Sequence, residues 1–155
     1  MPYTAERYHD FSAGHRVYGH ESKCAHLHGH NYRVHFVCVP AEDLDSVGRV
    51  VDFSVIKNKL CNWLEECWDH KTLIWIKDPL LKDLQLIDPQ GVLPVPFNPT
   101  AENMAQFLVD VAGPTLLKGT GVVLAQCRVE ETRRCTATYT ADQYNLNVQK
   151  NKERS

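Results

Sequence analysis

Apolar and polar positions alternate along the first forty residues, so an extended chain would collect apolar side chains on one face and charges on the other. The alternation predicts two strands, one through "YTAERYHDFSAGHRV" (3–17) and one through "HNYRVHFVCV" (30–39). Gly19, Ser22 and Lys23 lie between them, as expected for a long antiparallel hairpin. The period then changes. Ile56, Leu60, Trp63, Leu64 and Cys67 recur at helical spacing, and Asp52 or Ser54 stands where a cap belongs. A second helix is predicted in "NPTAENMAQFLVDVA" (98–112). Either Asn98 caps it ahead of Pro99 or Thr100 caps it directly, and Met104, Phe107, Leu108 and Val111 form its apolar stripe. Gly113 and Pro114 stop or kink it. "GVVLAQCRVEE" (121–131) and "CTATYTA" (135–141) read as two further strands.

The order strand, strand, helix, helix, strand, strand predicts an α+β domain: a four-stranded antiparallel sheet with both helices on one face. Open sheet edges, with apolar residues on both faces (Val34 and Phe36 against Val37 and Val39), predict assembly into a larger sheet or barrel. The stretch 71–98 fits least well. It holds Pro79, Pro89, Pro94 and Pro96, yet a structureless loop of that length is uncommon in a compact domain. Within it "DPLLKDLQ" suggests a short helix and "GVLPVPF" an edge strand. Residues 1–144 are expected to form one domain, and 145–155 a polar tail that frays.

Composition narrows the function classes. With 155 residues, 43% hydrophobic and 23% charged, the chain has the makeup of a single globular domain. A formal charge of −2 gives no electrostatic footprint for nucleic acid. The first residues carry Glu6, Arg7 and Asp10 and no apolar core of a signal peptide, and no apolar run reaches membrane-spanning length, so a cytoplasmic protein without membrane contact is expected. None of the six cysteines forms a C-x-x-C pair. Cys38, Cys61, Cys67, Cys127 and Cys135 sit among apolar neighbours and read as reduced packing residues.

The chemistry concentrates in "CAHLHGHNY" (24–32). On a strand, His28 and His30 have α-carbons roughly 6.6 Å apart and point the same way, so both imidazoles reach one ion at about 2.1 Å bond lengths. His26 and His30 would lie roughly 13 Å apart, too far to converge. The third ligand is expected from another strand. His15 on the preceding arm is the natural donor, with His20 and His26 as substitutes. Three imidazoles leave a fourth position open, as catalytic zinc requires; a closed structural site using the Cys24 thiol is the rival reading. His9 and His35 read as surface or hydrogen-bonded histidines.

Six ordered blocks, "FSAGHR" (11–16), "CAHLHGHNY" (24–32), "VVDF" (50–53), "DHKTL" (69–73), "PTAEN" (99–103) and "EET" (130–132), together resemble the 6-pyruvoyltetrahydropterin synthase superfamily from about residue 6 to 140. The resemblance implies a tunnelling (T-fold) domain that builds a multi-subunit barrel, zinc held by His15, His28 and His30, and a pterin triphosphate substrate. It assigns Cys24 as catalytic base, Asp69 and His70 as its partners in a triad assembled across a subunit boundary, and Glu131 as the carboxylate that anchors the pterin ring. Thr100 and Glu102 are implied as further substrate contacts, and a homo-oligomer, a hexamer, as the assembly. Trp68 stands where members carry leucine, and His26 has no implied role.

The implied chemistry suits these residue types. Zinc lowers the pKa of a bound hydroxyl as it lowers that of water, from about 15.7 to about 7. A thiol with reference pKa near 8.5 becomes a better base near His70 and a metal. The three residues between Cys24 and H-G-H resemble the branch that forms 6-carboxytetrahydropterin from 7,8-dihydroneopterin triphosphate, releasing acetaldehyde and triphosphate on the route to queuosine and other 7-deazaguanines. Members forming 6-pyruvoyltetrahydropterin usually space the cysteine two residues further away and are the runner-up. A non-enzymatic zinc-binding module would keep the histidines yet lack the base, the Asp-His pair and the pterin carboxylate, all of which are present here.

Overall fold

A computed structural model describes residues 3–145. β1 (Ala5–His15) and β2 (His28–Pro40) pair antiparallel without interruption from Ala5↔Cys38 to His15↔His28. Phe11, Ala13 and His15 of β1 and Tyr32, Val34, Phe36 and Cys38 of β2 turn into the core, as the period of two requires. The opposite face carries charges: Glu6, His35, Arg128 and Glu130 are knit there by ion pairs, and Arg33 pairs with Asp10. At the turn end both strand limits lie two residues earlier than the sequence suggested. β1 stops at His15, β2 begins at His28, and the loop between contains a single 3-10 turn, Lys23–Ala25.

β5 (Val122–Glu130) adds to β2, and β6 (Thr136–Thr140) adds to β5, both antiparallel. A bulge lies between the pairs Val37↔Gln126 and Cys38↔Leu124, leaving Ala125 opposite no single partner. It shifts the phase by one residue, so Val122 and Leu124 on one side and Cys127 and Val129 on the other are all buried. The Ala125 carbonyl freed there accepts from the Ala141 N–H at 2.8 Å.

The expectation of four antiparallel strands in the order ββααββ is corrected. The sheet has six strands, in the order β4-β3-β1-β2-β5-β6. β3 (Thr72–Trp75) runs parallel to β1, and β4 (Val92–Val95) runs parallel to β3. Both come from the proline-rich stretch 71–98. β3 shows two buried neighbours, Leu73 and Ile74, instead of an alternation, and Pro94 is tolerated in β4 because that strand lies at the sheet edge. The "GVLPVPF" edge strand is therefore present, and β3 escaped the pattern reading. The short helix suggested in "DPLLKDLQ" appears as α3 (Leu81–Ile87). The fold class α+β stands.

The first long helix is α1 (Phe53–Ile56) and α2 (Asn62–Cys67), joined by a π-helical turn at Lys57–Cys61. Asp52 caps it, accepting from the Ser54 N–H at 2.9 Å. The second is α4 (Ala101–Phe107), a π-helical turn at Leu108–Ala112, and α5 (Gly113–Leu116). Thr100 caps α4, accepting from the Asn103 N–H at 3.1 Å. The wide turn rotates the stripe, so Val109 and Ala112 are buried with Met104 and Leu108 while Val111 is exposed, contrary to the sequence reading. Nor does the helix stop at Gly113–Pro114. The π turn precedes the proline ring, and a side chain at Gly113 would meet Leu124 at 3.0 Å, so glycine lets the helix lie close on β5. Trp68 ends α2 fully buried against Phe11, Trp63, Phe97 and Phe107 and forms a rigid backing for the residues that follow. No helix among the described residues is long and apolar enough to cross a membrane. The expected C-terminal tail lies, beyond Asn145, outside the described residues.

Candidate metal centre and adjoining cleft

The loop end of the β1–β2 hairpin brings three imidazoles together. His15 and His28 are cross-strand partners, and His30 follows two residues along β2 on the same face. One nitrogen of each lies within 4.8 Å of the others. The Cys24 thiol is not in this group, nor are His20 and His26.

Backbone carbonyls set the tautomers. His15 Nδ1 donates to the Pro99 carbonyl at 2.6 Å, and His28 Nδ1 donates to the His26 carbonyl at 2.7 Å. A neutral imidazole carries one N–H, so each of these presents a bare lone pair at Nε2. The two Nε2 atoms are 3.0 Å apart. His30 Nε2 is buried and has no hydrogen-bond partner. Two lone pairs face to face and a third polar atom orphaned beside them are unfavourable unless a cation sits among them. Burial, then the neighbouring His28 and His30, hold the His15 imidazole down at about 4 against the Pro99 hydrogen bond, so it stays neutral. His30 is likewise lowered, by burial first, against the opposing charge of Glu131. Neutral imidazoles with outward nitrogen bonded to carbonyls are the form in which histidine ligates a metal. The residues present therefore fit one.

Three features of this centre carried no signal in the residue pattern. The Pro99 carbonyl is a backbone group, legible only through the helix start that aims it. Asn103 Nδ2 bonds the Asn98 carbonyl at 2.9 Å, Thr100 caps, and "PTAEN" thereby fixes the turn that presents Pro99 to His15. Tyr32 places its hydroxyl 3.2 Å from His15 Nδ1, and burial, then the charges of Glu131 and Cys24, push that hydroxyl above its ordinary range. Arg16 forms a two-point ion pair with Asp78, whose side chain is fully buried.

Beside the histidines lies a cleft of about 870 Å³ whose lining includes His30, Asn31, Asp69 and Glu131. It exists because β5 ends at Glu130, opposite Arg33, while β2 runs on to His28, so residues 29–32 have a free edge. Glu131 turns into that gap, its Oε1 lying 3.4 Å from His15 Nε2 and 3.5 Å from His30 Nε2.

Asp69 and His70 form a second pair on the other side of β1. His70 Nδ1 donates to Asp69 Oδ2 at 2.6 Å, while Asp69 Oδ1 accepts the Ser12 N–H at 2.9 Å. Burial raises the Asp69 carboxyl, but these two donors outweigh it and hold the group below its ordinary value. The His70 backbone is left-handed, with φ 58°, and its N–H bonds the Ser12 carbonyl at 2.7 Å. Its side chain is 81% exposed, and no hydrogen bond joins it to Cys24 in the chain. Thr100 and Glu102 do not line the cleft. Thr100 Oγ1 is engaged as a helix cap, and Glu102 is exposed.

A family model described as 6-pyruvoyl tetrahydropterin synthase matches residues 4–142. A protein of Rickettsia felis named 6-carboxy-5,6,7,8-tetrahydropterin synthase is 33% identical over 127 residues, covering 81% of this chain and 91% of that protein. One of Aquifex aeolicus with the same name is 36% identical over 119 residues, covering 64% of this chain and 72% of its own length. Among solved structures, an uncharacterized protein from Wolinella succinogenes superposes with a TM-score of 0.75 at 24% identity, covering 89% of this chain and 97% of that one. The 6-pyruvoyl tetrahydropterin synthase of Caenorhabditis elegans superposes with a TM-score of 0.59 at 24% identity, covering 90% and 95%, a likeness of fold.

Proposed function

The chain belongs to the 6-pyruvoyl tetrahydropterin synthase family, and from that premise we propose that it is the enzyme forming 6-carboxy-5,6,7,8-tetrahydropterin. Its substrate is 7,8-dihydroneopterin triphosphate, and the other products are acetaldehyde and triphosphate, with one water consumed. The observation that carries the reading is the set of three converging imidazoles, two of them turned inward by backbone carbonyls and the third with its Nε2 unpartnered, beside a cleft edged by carboxylates. The choice of branch rests on the relatives named for the 6-carboxy product and on the three-residue spacing between Cys24 and H-G-H.

Zinc held by His15, His28 and His30 supplies Lewis acidity that makes protons beside the substrate's side-chain hydroxyls removable. The Cys24 thiolate takes the carbon-bound proton, with His70, oriented by Asp69, as its partner. Glu131 accepts two N–H bonds from the guanidine-like edge of the pterin, with Thr100 and Glu102 at the helix start as further substrate contacts. The exposure of His70 supports a triad shared between subunits, because an imidazole braced by a carboxylate yet open to solvent is available to a neighbour's thiol. The assembly we propose is a homohexamer with a closed multi-subunit barrel, for which the free edges of β4 and β6 are available. We read residues 1–144 as one catalytic domain and the setting as cytoplasmic, in keeping with six free cysteines.

Product analysis with 7,8-dihydroneopterin triphosphate tests the reading. The expected result is 6-carboxytetrahydropterin with equimolar acetaldehyde. Formation of the 6-pyruvoyl product alone, without acetaldehyde, overturns the choice of branch.

A further inference from the structure

The loop between the two histidine-bearing strands is twelve residues long and carries Cys24, and its local turns alone do not tie it to the rest of the fold. Three side chains or backbone groups immediately after β1 hold it instead. Val17 N–H bonds the Cys24 carbonyl at 2.8 Å. Tyr18 exchanges two hydrogen bonds with the Asn98 side chain, at 3.1 and 2.9 Å. Arg16 NH1 donates to the Ala25 carbonyl at 2.8 Å.

The Arg16 contact is the most constrained of the three. Its other two donors are fixed on Asp78, Nε to Oδ2 at 2.7 Å and NH2 to Oδ1 at 3.2 Å. Asp78 has no exposed side-chain surface, and its Oδ1 also accepts the Leu80 N–H at 2.9 Å ahead of α3. The two bonds to Asp78 fix the plane of the guanidinium, and of the three N–H groups left, one on Nη1 reaches the Ala25 carbonyl. Neither residue touches the cleft or the imidazoles. A buried pair of charges remote from substrate is weak evidence for stability, since such pairs often contribute little net. Cys24 nonetheless lies inside the Lys23–Ala25 turn, one residue before the carbonyl that Arg16 holds, so a displacement of the turn carries the sulfur with it.

We infer that Arg16 and Asp78 are positioning residues for the reaction, a strap from the loop before α3 that fixes the Lys23–Ala25 turn and so the place of the Cys24 sulfur. The inference rests on Cys24 being the base, as proposed above. A lysine at position 16 could supply one bond to Asp78 but not the fork that reaches Ala25 at the same time.

The test uses the zinc-loaded full chain and the double variant Arg16→Met, Asp78→Leu, which removes both charges together and leaves no buried charge unpaired. Expected are stoichiometric zinc, KM for 7,8-dihydroneopterin triphosphate within about twofold of wild type, and kcat lower by about 10- to 100-fold, the scale on which misplacement of a reacting group costs rate. Amide exchange should accelerate in the peptide spanning 22–27 and remain unchanged in β2 and β5. Arg16→Lys should show the same split at intermediate size, and it carries the test alone if the double variant does not fold. Unchanged kcat, or unchanged exchange at 22–27, in a variant that folds overturns the inference. Faster exchange throughout the sheet with a proportionate rise in KM also overturns it, because that is loss of structure in general. Cys24→Ala separates the two levels: full turnover in that variant refutes the cysteine as base, whereas a dead Cys24→Ala beside a fully active double variant refutes the strap alone.

Discussion

The histidine cluster and the Asp69–His70 pair are built on opposite principles. The histidine cluster is complete within one chain: its members sit on paired strands, two of the three have their outer nitrogen bonded to a backbone carbonyl, and His15 is 1% exposed. The Asp69–His70 pair has the same local bracing, but its imidazole is 81% exposed and rides on a left-handed backbone. Both sets of side chains are therefore oriented, yet the three imidazoles converge on one another while the His70 ring faces outward. The three imidazoles that could hold a metal all come from one hairpin, whereas the His70 imidazole is left open to contact with something else.

The largest expected effect would break the first half. His28→Ala should reduce bound zinc from about one per chain to none by elemental analysis, with activity lost alongside. Should Cys24→Ala remove zinc as fully while His15→Ala keeps it, the closed structural site becomes the better reading.

Next in size is the second half. Cys24→Ala should keep its zinc and lose about 10² to 10⁴ in turnover, the usual cost of removing a general base. Inactive Cys24→Ala and His70→Ala chains, dissociated and reassembled in equal amounts, should regain up to about one working site in four by random pairing. No recovery in mixed oligomers would place the triad within one chain.

The third prediction is a pH effect confined to the cluster. His15 is depressed to about 4 in the folded, metal-free protein, so the unfolded state binds the extra proton. Stability is then fully present above about pH 6.5 and falls as pH drops toward about 4, by a span on the order of 3 kcal/mol. Thermal melts of metal-free wild type and His15→Gln across that range should converge at low pH. Parallel curves would show that burial of His15 is not what sets the acid limb.

The smallest effect concerns the outward half. His70→Gly relieves a left-handed residue that costs about 1 kcal/mol, so the variant should melt no lower than wild type while turning over poorly. A clear drop in melting temperature would mean that the His70 side chain supports the fold as well.

The same contrast governs how much was legible beforehand. His28 and His30 follow from strand geometry alone, because alternate residues share a face, and His15 from its place on the facing arm. The rest of the hairpin was readable for the same reason: Tyr32, Val34 and Phe36 alternate with polar neighbours. β3 was not, since two consecutive buried residues between turns look alike in a strand and a loop. The inward turn of Val109 in place of Val111 depends on a π-helical turn that no residue type marks. Asp78 looked like one more acid in a polar, proline-rich connection, and only the fold shows Arg16 against it. The Pro99 carbonyl is the extreme case, a functional group shared by every residue and made specific by direction.

The register of the hairpin has one further consequence. Because side chains change face with every residue, sliding β1 by a single position against β2 would send His15 to the charged side of the sheet while His28 and His30 stayed behind. Slippage by two would restore the face but set His15 against His30 or beyond the end of β2. Stoichiometric metal uptake thus counts correctly aligned sheets, and a refolded sample can be graded by its metal content before any substrate is added.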